Sequence, residues 1–268
     1  MKAVVYGLLS GFLLLACGVS AAQSIAAETL EMSESDEIDD EAIAVLRGLS
    51  DHLASLEKFS YRYEASHDTV QSSGLKVEFG STRRVVVARP DRLRMDGERR
   101  DGVRNTIIFS GEQIYAYVPD QKIYAAAEQP GKLDDAMDFA IRELRLKAPV
   151  SGLVSSNFFD DAMQNLKRAY YLGVATVAGE ECDHLLMSND FTDFQLWVTR
   201  TPTPLLRRLV ITYREEPGEP QFRAHFMDWD LDPEIEEGTL SFVPPDDVAR
   251  VRFYVEARLS EETAGDDS

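Results

Sequence analysis

The chain has 268 residues, is 44% hydrophobic and 28% charged, and carries a net charge of −19. So negative a balance excludes binding along a nucleic-acid backbone and simple adsorption to anionic lipid. The length suffices for one good-sized hydrophobic core, which matters because the chain has only two cysteines, Cys17 and Cys182.

Lys2 is the only charge before the uncharged run 3–19, which ends in small residues. A basic start, an apolar stretch and a small-residue cleavage site read as an export signal, and the run is short for a membrane span of about 20 residues. Two processing routes fit. Ordinary cleavage after Ala21 or Ala22 gives a signal peptide over 1–22, whereas Leu14-Leu15-Ala16-Cys17 resembles a lipobox, with Cys17 lipidated as the new N-terminus. On either route Cys182 is left alone, and no intramolecular disulfide forms in the oxidising destination. Residues 28–41 hold eight acids and no base, and 261–268 hold four more acids. Segments 23–39 and 260–268 are therefore expected to be acidic and disordered, flanking one folded domain over 40–259.

The domain opens with Ala42, Leu46, Leu49, Leu53 and Leu56 on one helical stripe, with Asp39 or Asp40 as the cap. Phe59, Tyr61, Tyr63, Ala65 and His67 then alternate along a strand, and Leu75, Val77, Phe79, Val85 and Val87 along a second, bent at Gly80. The runs RPDRLRMD and SGEQIYAYVPDQKIYAA follow. Leu93 and Met95 alternate with Arg92 and Arg94, and Ile114, Ala116 and Val118 with Gln113, Tyr115 and Tyr117. Turns at Pro90-Asp91, Ser110-Gly111 and Pro119-Asp120 make this a meander with one apolar face that something must cover.

The period then changes. Leu133, Met137, Ala140, Ile141 and Leu144 recur at helical spacing, as do Phe159, Ala162, Met163 and Leu166, with a turn-rich joint between them. Strands resume over 170–177, 182–187, 194–198, 206–213 and 221–231. The fold class is α+β: a strongly curved antiparallel sheet with helices laid over one face.

Catalytic signatures are missing: no nucleophile elbow, phosphate loop, dinucleotide fingerprint or HExxH pair. Cys182 and His184 share a strand face but lack a second ligand pair, so a packed cysteine beside an ordinary histidine is expected rather than half a zinc site. His52 reads as a boundary residue on the first helix, and His67 ends an aromatic strand. Asp228, Asp230 and Asp232 read as a solvated edge, because Pro233 stands where a calcium loop needs glycine. The chain is read as a non-enzyme without metal or cofactor. Its arginines are expected to pair with acids across strands, or to bond backbone carbonyls of the covering helices.

RPDRLRMD followed by SGEQIYAYVPDQKIYA resembles the strand block of the LolA/LolB-type lipoprotein carriers. The ordered series YYLGVATVAGEECDHL, DFQLWV, PLLRRLVITY, a DW-containing strand and FVPP is similar to a family of predicted periplasmic proteins of unknown function, over most of 40–245. The resemblance implies an unclosed β-barrel with a helical lid and an interior that holds acyl chains of a lipid or lipoprotein. It places the protein in the periplasm of a Gram-negative bacterium, touching membrane only transiently or through a lipid anchor at Cys17. Arg94 then matches the arginine that latches the lid. Tyr61, Tyr63, Leu93, Met95, Ile114, Met137, Ile141, Phe159, Met163 and Leu196 are the expected ligand contacts. The competing expectation is an envelope interaction or sensor module with a filled core and a protein partner.

Overall fold

A computed structural model describes residues 38–146 and 148–253; the expected export signal, Cys17, nearly all of the expected acidic segment 23–39 and all of 260–268 lie outside them. The first helix of the described residues is α1 (Asp40–Ser55), whose N-terminus is capped by the Asp39 carboxylate accepting from the Glu41 amide at 2.8 Å. Six strands follow: β1 (Lys58–Val70), β2 (Lys76–Ala88), β3 (Arg92–Arg99), β4 (Arg104–Phe109), β5 (Gln113–Val118) and β6 (Ile123–Glu128). Next come α2 (Leu133–Arg142), a short 3-10 turn (Ser151–Leu153) and α3 (Phe158–Gln164). The chain returns to strands with β7 (Arg168–Val177), β8 (Glu180–Ser188), β9 (Thr192–Thr199), β10 (Leu206–Tyr213), β11 (Gln221–Asp230) and β12 (Ala249–Val251).

All twelve strands form one curved, unclosed sheet in the order β12-β6-β5-β4-β3-β2-β1-β11-β10-β9-β8-β7. Neighbours are antiparallel except β12, which runs parallel to β6. Two meanders, β1–β6 and β7–β11, are thus zipped together where β11 returns to β1. The open edge at β7 is partly blunted by the stretch before α1: Ile38 bridges Ala169, and the Asp39 amide donates to the Ala169 carbonyl at 2.9 Å.

Period-two alternation sorts the sheet into two faces. The inner face buries Phe59, Tyr61, Tyr63, Val85, Val87, Leu93, Phe109 and Ile114 from the first meander, and Leu185, Met187, Leu196, Val198, Leu209, Ile211 and Phe226 from the second. Ala42, Leu46, Leu49 and Leu53 of α1 join them, as do Leu133, Ala136 and Ala140 of α2 and Phe159 of α3, to make one core. The outer face is covered only locally. Segment 232–245 crosses it, and Phe242 sits among Tyr115, Tyr117 and Tyr124 at 5.2, 5.2 and 5.7 Å between ring centres.

Candidate functional site

An apolar cavity of about 100 Å³ lies between the inner face of β8–β10 and the cover formed by residues 149–166. Leu46, Val150, Leu153, Phe158, Ala162 and Leu166 line it from the helical side, and Met187, Leu196, Leu206, Leu209 and Ile211 from the sheet. Its polar lining is Ser188 and Asn189, whose side chains are already engaged. The Ser188 hydroxyl donates to Asp193 at 2.7 Å, and Asn189 Oδ1 accepts from the Phe191 and Thr192 amides, each at 2.8 Å. A space so lined rejects water and charge and accepts hydrocarbon. At about 100 Å³ it is smaller than a 150 Å³ cavity that takes benzene.

The cover is held by few polar ties. The Leu133 amide, at the start of α2, donates to the Pro90 carbonyl at 2.8 Å, across a cis Arg89–Pro90 bond. Asp134 accepts from the Ser156 amide at 2.8 Å and from its hydroxyl, pinning the loop before α3 to α2. α3 itself is fastened by two residues of α1 one turn apart. The buried Phe159 amide donates to Ser50 Oγ at 3.1 Å, and the Arg47 guanidinium lies 3.8 Å above the Phe159 ring. Gly152 is required here, since a Cβ on it would stand 2.7 Å from Phe158 Cδ2. Burial, reinforced by Asp138, Asp134 and Asp160, pushes the Asp161 carboxyl above its ordinary range, so the cover carries its own acidic repulsion.

The expected ligand contacts separate into two groups. Tyr61, Tyr63, Leu93 and Ile114 are buried in the first meander, where Tyr61 stacks on Trp229 at 4.5 Å and meets Phe59 at 6.2 Å and Phe226 at 5.9 Å. The Tyr63 hydroxyl contacts Met95 Sδ at 3.9 Å, and burial pushes its phenol up to about 12. In this half of the interior the aromatic rings pack on one another. Met137 and Met163 are partly buried against the core and Phe159 is buried, but only Leu196 of the expected set lines the cavity. The remaining lining residues, Leu206, Leu209 and Ile211 above all, carry no signal beyond that of a strand, because a cavity wall and a solid core use the same side chains.

Two expectations are corrected. Ile141 is 38% exposed and outside the core, because the buried stripe of α2 runs through Leu133, Ala136 and Ala140 and leaves position 141 on the solvent side. Arg94 does not reach the covering helices. It projects from the outer face, opposite to Leu93, chelates Asp96 at 2.7 and 2.9 Å, and donates to the Thr239 carbonyl at 3.2 Å. It fastens the C-terminal segment. The arginine on the inner face is Arg89, 5.8 Å from the Phe59 ring centre, with Nε and Nη2 buried and unpartnered; burial pushes its pKa down while Asp134 pulls it up.

Other chemistry-bearing residues occupy structural places. Cys182 is buried against Trp197 and Val210, and burial pushes its thiol up. Asp228 pairs with Arg62 at 2.8 Å and Asp232 with Lys58 at 2.8 Å. Among the described residues no group of three or more His, Cys, Asp or Glu is arranged to hold a metal.

A family profile described as "predicted periplasmic protein (DUF2092)" matches residues 42–254. No curated protein matches the chain. Among solved structures, the lipoprotein LppX of Mycobacterium tuberculosis is similar at 13% identity and a TM-score of 0.44, over 74% of this chain and 100% of that one. LprF of Mycobacterium bovis matches at 11% identity and a TM-score of 0.45, over 79% and 99%. A LolA superfamily protein of Nitrosomonas europaea matches at 11% identity and a TM-score of 0.34, over 75% and 97%.

Proposed function

The chain belongs to the DUF2092 family of predicted periplasmic proteins, and on that premise we propose that it is a non-enzymatic binding or carrier protein for an apolar ligand. The ligand is an acyl chain of a lipid or lipoprotein, taken between β8–β10 and the cover 149–166. The observation that carries this reading is the cavity itself: mostly apolar, with its two polar residues already hydrogen-bonded, and roofed by a seven-residue helix. Each CH₂ buried there contributes about 0.8 kcal/mol, so a chain that lifts α3 and extends along the second meander gains affinity with every carbon. Leu196, Phe159 and Met163 are then ligand or cover contacts, whereas Tyr61, Tyr63, Leu93, Met95 and Ile114 form the solid wall behind the site.

Native mass spectrometry of protein isolated from the envelope, with displacement by a fluorescent fatty-acid probe, tests the proposal. A bound lipid mass, together with saturable probe binding that weakens in Leu196→Asp, is the expected result. Empty protein that binds no acyl probe refutes it. The aromatic fill around Tyr61 and Trp229 favours a second reading, a module with a solid interior that engages a protein partner. In that case in-cell crosslinking captures one protein and the acyl probe finds no site.

A further inference from the structure

The outer face of the second meander carries a side-chain cluster that the cavity does not use. The strand registers align one residue from each of five neighbouring strands in a single transverse row. His184 lies opposite Trp197, Trp197 opposite Arg208, Arg208 opposite His225, and His225 opposite Glu64. The row faces outward, since the next residues along these strands, Leu185, Leu196, Leu209, Ala224 and Tyr63, all enter the core. A bulge lies just before it on β10, between Leu206 and Arg208, and bulges re-aim side chains.

Trp197 stands between two nitrogen-bearing partners. The His184 ring stacks on it at 4.1 Å and 14°, and the Arg208 guanidinium carbon lies 4.9 Å from its ring centre. The surrounding arginines are neutralised: Arg62 by Asp228 at 2.8 Å, Arg200 by Asp183 at 3.5 Å, Arg207 by Glu180 at 2.6 Å and Arg223 by Asp68 at 3.0 Å. Arg208 differs. It makes no hydrogen bond or ion pair with any described residue, and its Nε is buried without a partner. In a chain with a net charge of −19, this guanidinium lies against the Trp197 ring and is flanked by an imidazole where its neighbours have carboxylates.

We propose that Arg208, with His225 beside it and Trp197 as its supporting wall, is a receptor for one phosphate-type oxyanion. A guanidinium held against an aromatic face keeps its fork of donors ready for phosphate oxygens, and an imidazole one strand away adds a further donor. The three oxygens of a phosphate match a guanidinium fork plus an adjacent imidazole better than the two of a carboxylate do. Burial first, and the Arg208 charge after it, depress the basicity of His225, which Glu64 partly restores. His184 is likewise held down by burial and Arg208, against the hydrogen bond its Nε2 donates to Gln195 Oε1 at 3.2 Å. A bound anion offsets that charge, so the imidazoles take up protons as it binds, and affinity rises as pH falls through the imidazole range. The other arginines on these strands, Arg62, Arg207 and Arg223, already have carboxylate partners.

The source of the oxyanion is a free phosphate or a lipid headgroup, and the experiment separates them. Calorimetric titration of the mature full-length chain uses inorganic phosphate in one arm and monomeric dihexanoyl phosphatidic acid in the other. Each arm is run at mildly acidic and mildly alkaline pH, in two buffers of different ionisation enthalpy. Saturable 1:1 binding in either arm, with proton uptake and affinity at least about fivefold higher on the acidic side, supports the site and names its source. Arg208→Gln weakens binding by about tenfold or more, Arg208→Lys by less, and His225→Gln weakens binding on the acidic side and flattens its pH dependence. No binding in both arms, or unchanged binding in a folded Arg208→Gln or Arg208→Lys chain, overturns the proposal. This face is independent of the cavity, so its failure leaves the acyl-chain reading untouched.

Discussion

Replacing Ala162 by Leu tests whether the space beneath α3 is real. Ala162 lies on α3 and lines the cavity of about 100 Å³. Leucine adds three carbons and is a good helix former, so the helix itself tolerates it. At about 0.8 kcal/mol per buried CH₂ the transfer gain is at most about 2.4 kcal/mol. Ordering the longer side chain costs about 0.5–1 kcal/mol, leaving a net stabilisation of about 1.5 kcal/mol. For a domain of this size that corresponds to a melting temperature higher by about 3–6 °C. Urea unfolding checks it directly: the midpoint rises while the slope stays constant, which assigns the change to stability. The same variant loses its bound lipid in native mass spectrometry, because the added carbons occupy the ligand's place. If the site were already solid, the extra carbons would overpack it and cost about 1–3 kcal/mol. A lowered midpoint at unchanged slope therefore refutes both the cavity and the ligand reading built on it.

Ser50→Ala strands the buried Phe159 amide; a loss of about 1–3 kcal/mol is expected, with the Phe159 amide exchanging its hydrogen faster and acyl probe entering and leaving faster. Alkaline pH is expected to unfold the first meander. Tyr63 has its phenol raised from 10.0 to about 12 in the fold, so its contribution is intact below pH 10 and lost as pH rises through about 12; two units correspond to about 2.7 kcal/mol. Denaturation followed by tyrosinate absorbance checks this: Tyr63→Phe removes part of the loss, and Tyr61, whose phenol burial also pushes up, supplies the rest. Arg94→Ala removes the bond to the Thr239 carbonyl, so limited proteolysis is expected to cut within 232–248 sooner, while acyl-probe affinity stays unchanged.

Much of this architecture was legible because alternation is a geometric property of strands. The odd-numbered residues Phe59, Tyr61, Tyr63 and Ala65 are spaced to face one way, and all four are buried. The same rule already contradicted the latch assigned to Arg94. Leu93 and Met95 point into the core, so the residue between them must point out, and a contact with helices on the inner side was ruled out by parity. Its actual partner, Thr239, stands 145 residues away and belongs to no strand or helix, so no local pattern could reveal it. The same holds for Phe242, whose seat among Tyr115, Tyr117 and Tyr124 turns an apparently polar face into a packed one. The ties between α1 and α3 were hidden for another reason. Arg47 and Ser50 look like ordinary exposed helix positions, and their role exists only because Phe159 is brought to them from the far side of the first meander.

The position of the cavity follows from the sizes of the inward residues on the two halves of the sheet. Along β1 and the end of β11 these are Phe59, Tyr61, Tyr63, Phe226 and Trp229, whose rings stack at 4.5–6.4 Å and reach across the interior. Along β8, β9 and β10 they are Leu185, Met187, Leu196, Val198, Leu209 and Ile211, which are shorter and leave a gap beneath any roof held at the same height. The roof over that gap is the part of the cover least able to stand alone: α3 has seven residues and no side-chain cap at its N-terminus. α1, in contrast, is anchored to β7 through Ile38, the Asp39 amide and the Tyr171 amide donating to Asp39 at 3.3 Å. Ligand entry as proposed therefore means moving α3 away from α1, at the cost of the Ser50 hydrogen bond and the Arg47 stack. Those two contacts together are worth about 1.5–3.5 kcal/mol, a barrier that a few buried CH₂ groups offset. A ligand shorter than that leaves the cover shut, so affinity measured against fatty acids of increasing length is expected to show a threshold followed by a steady gain per carbon.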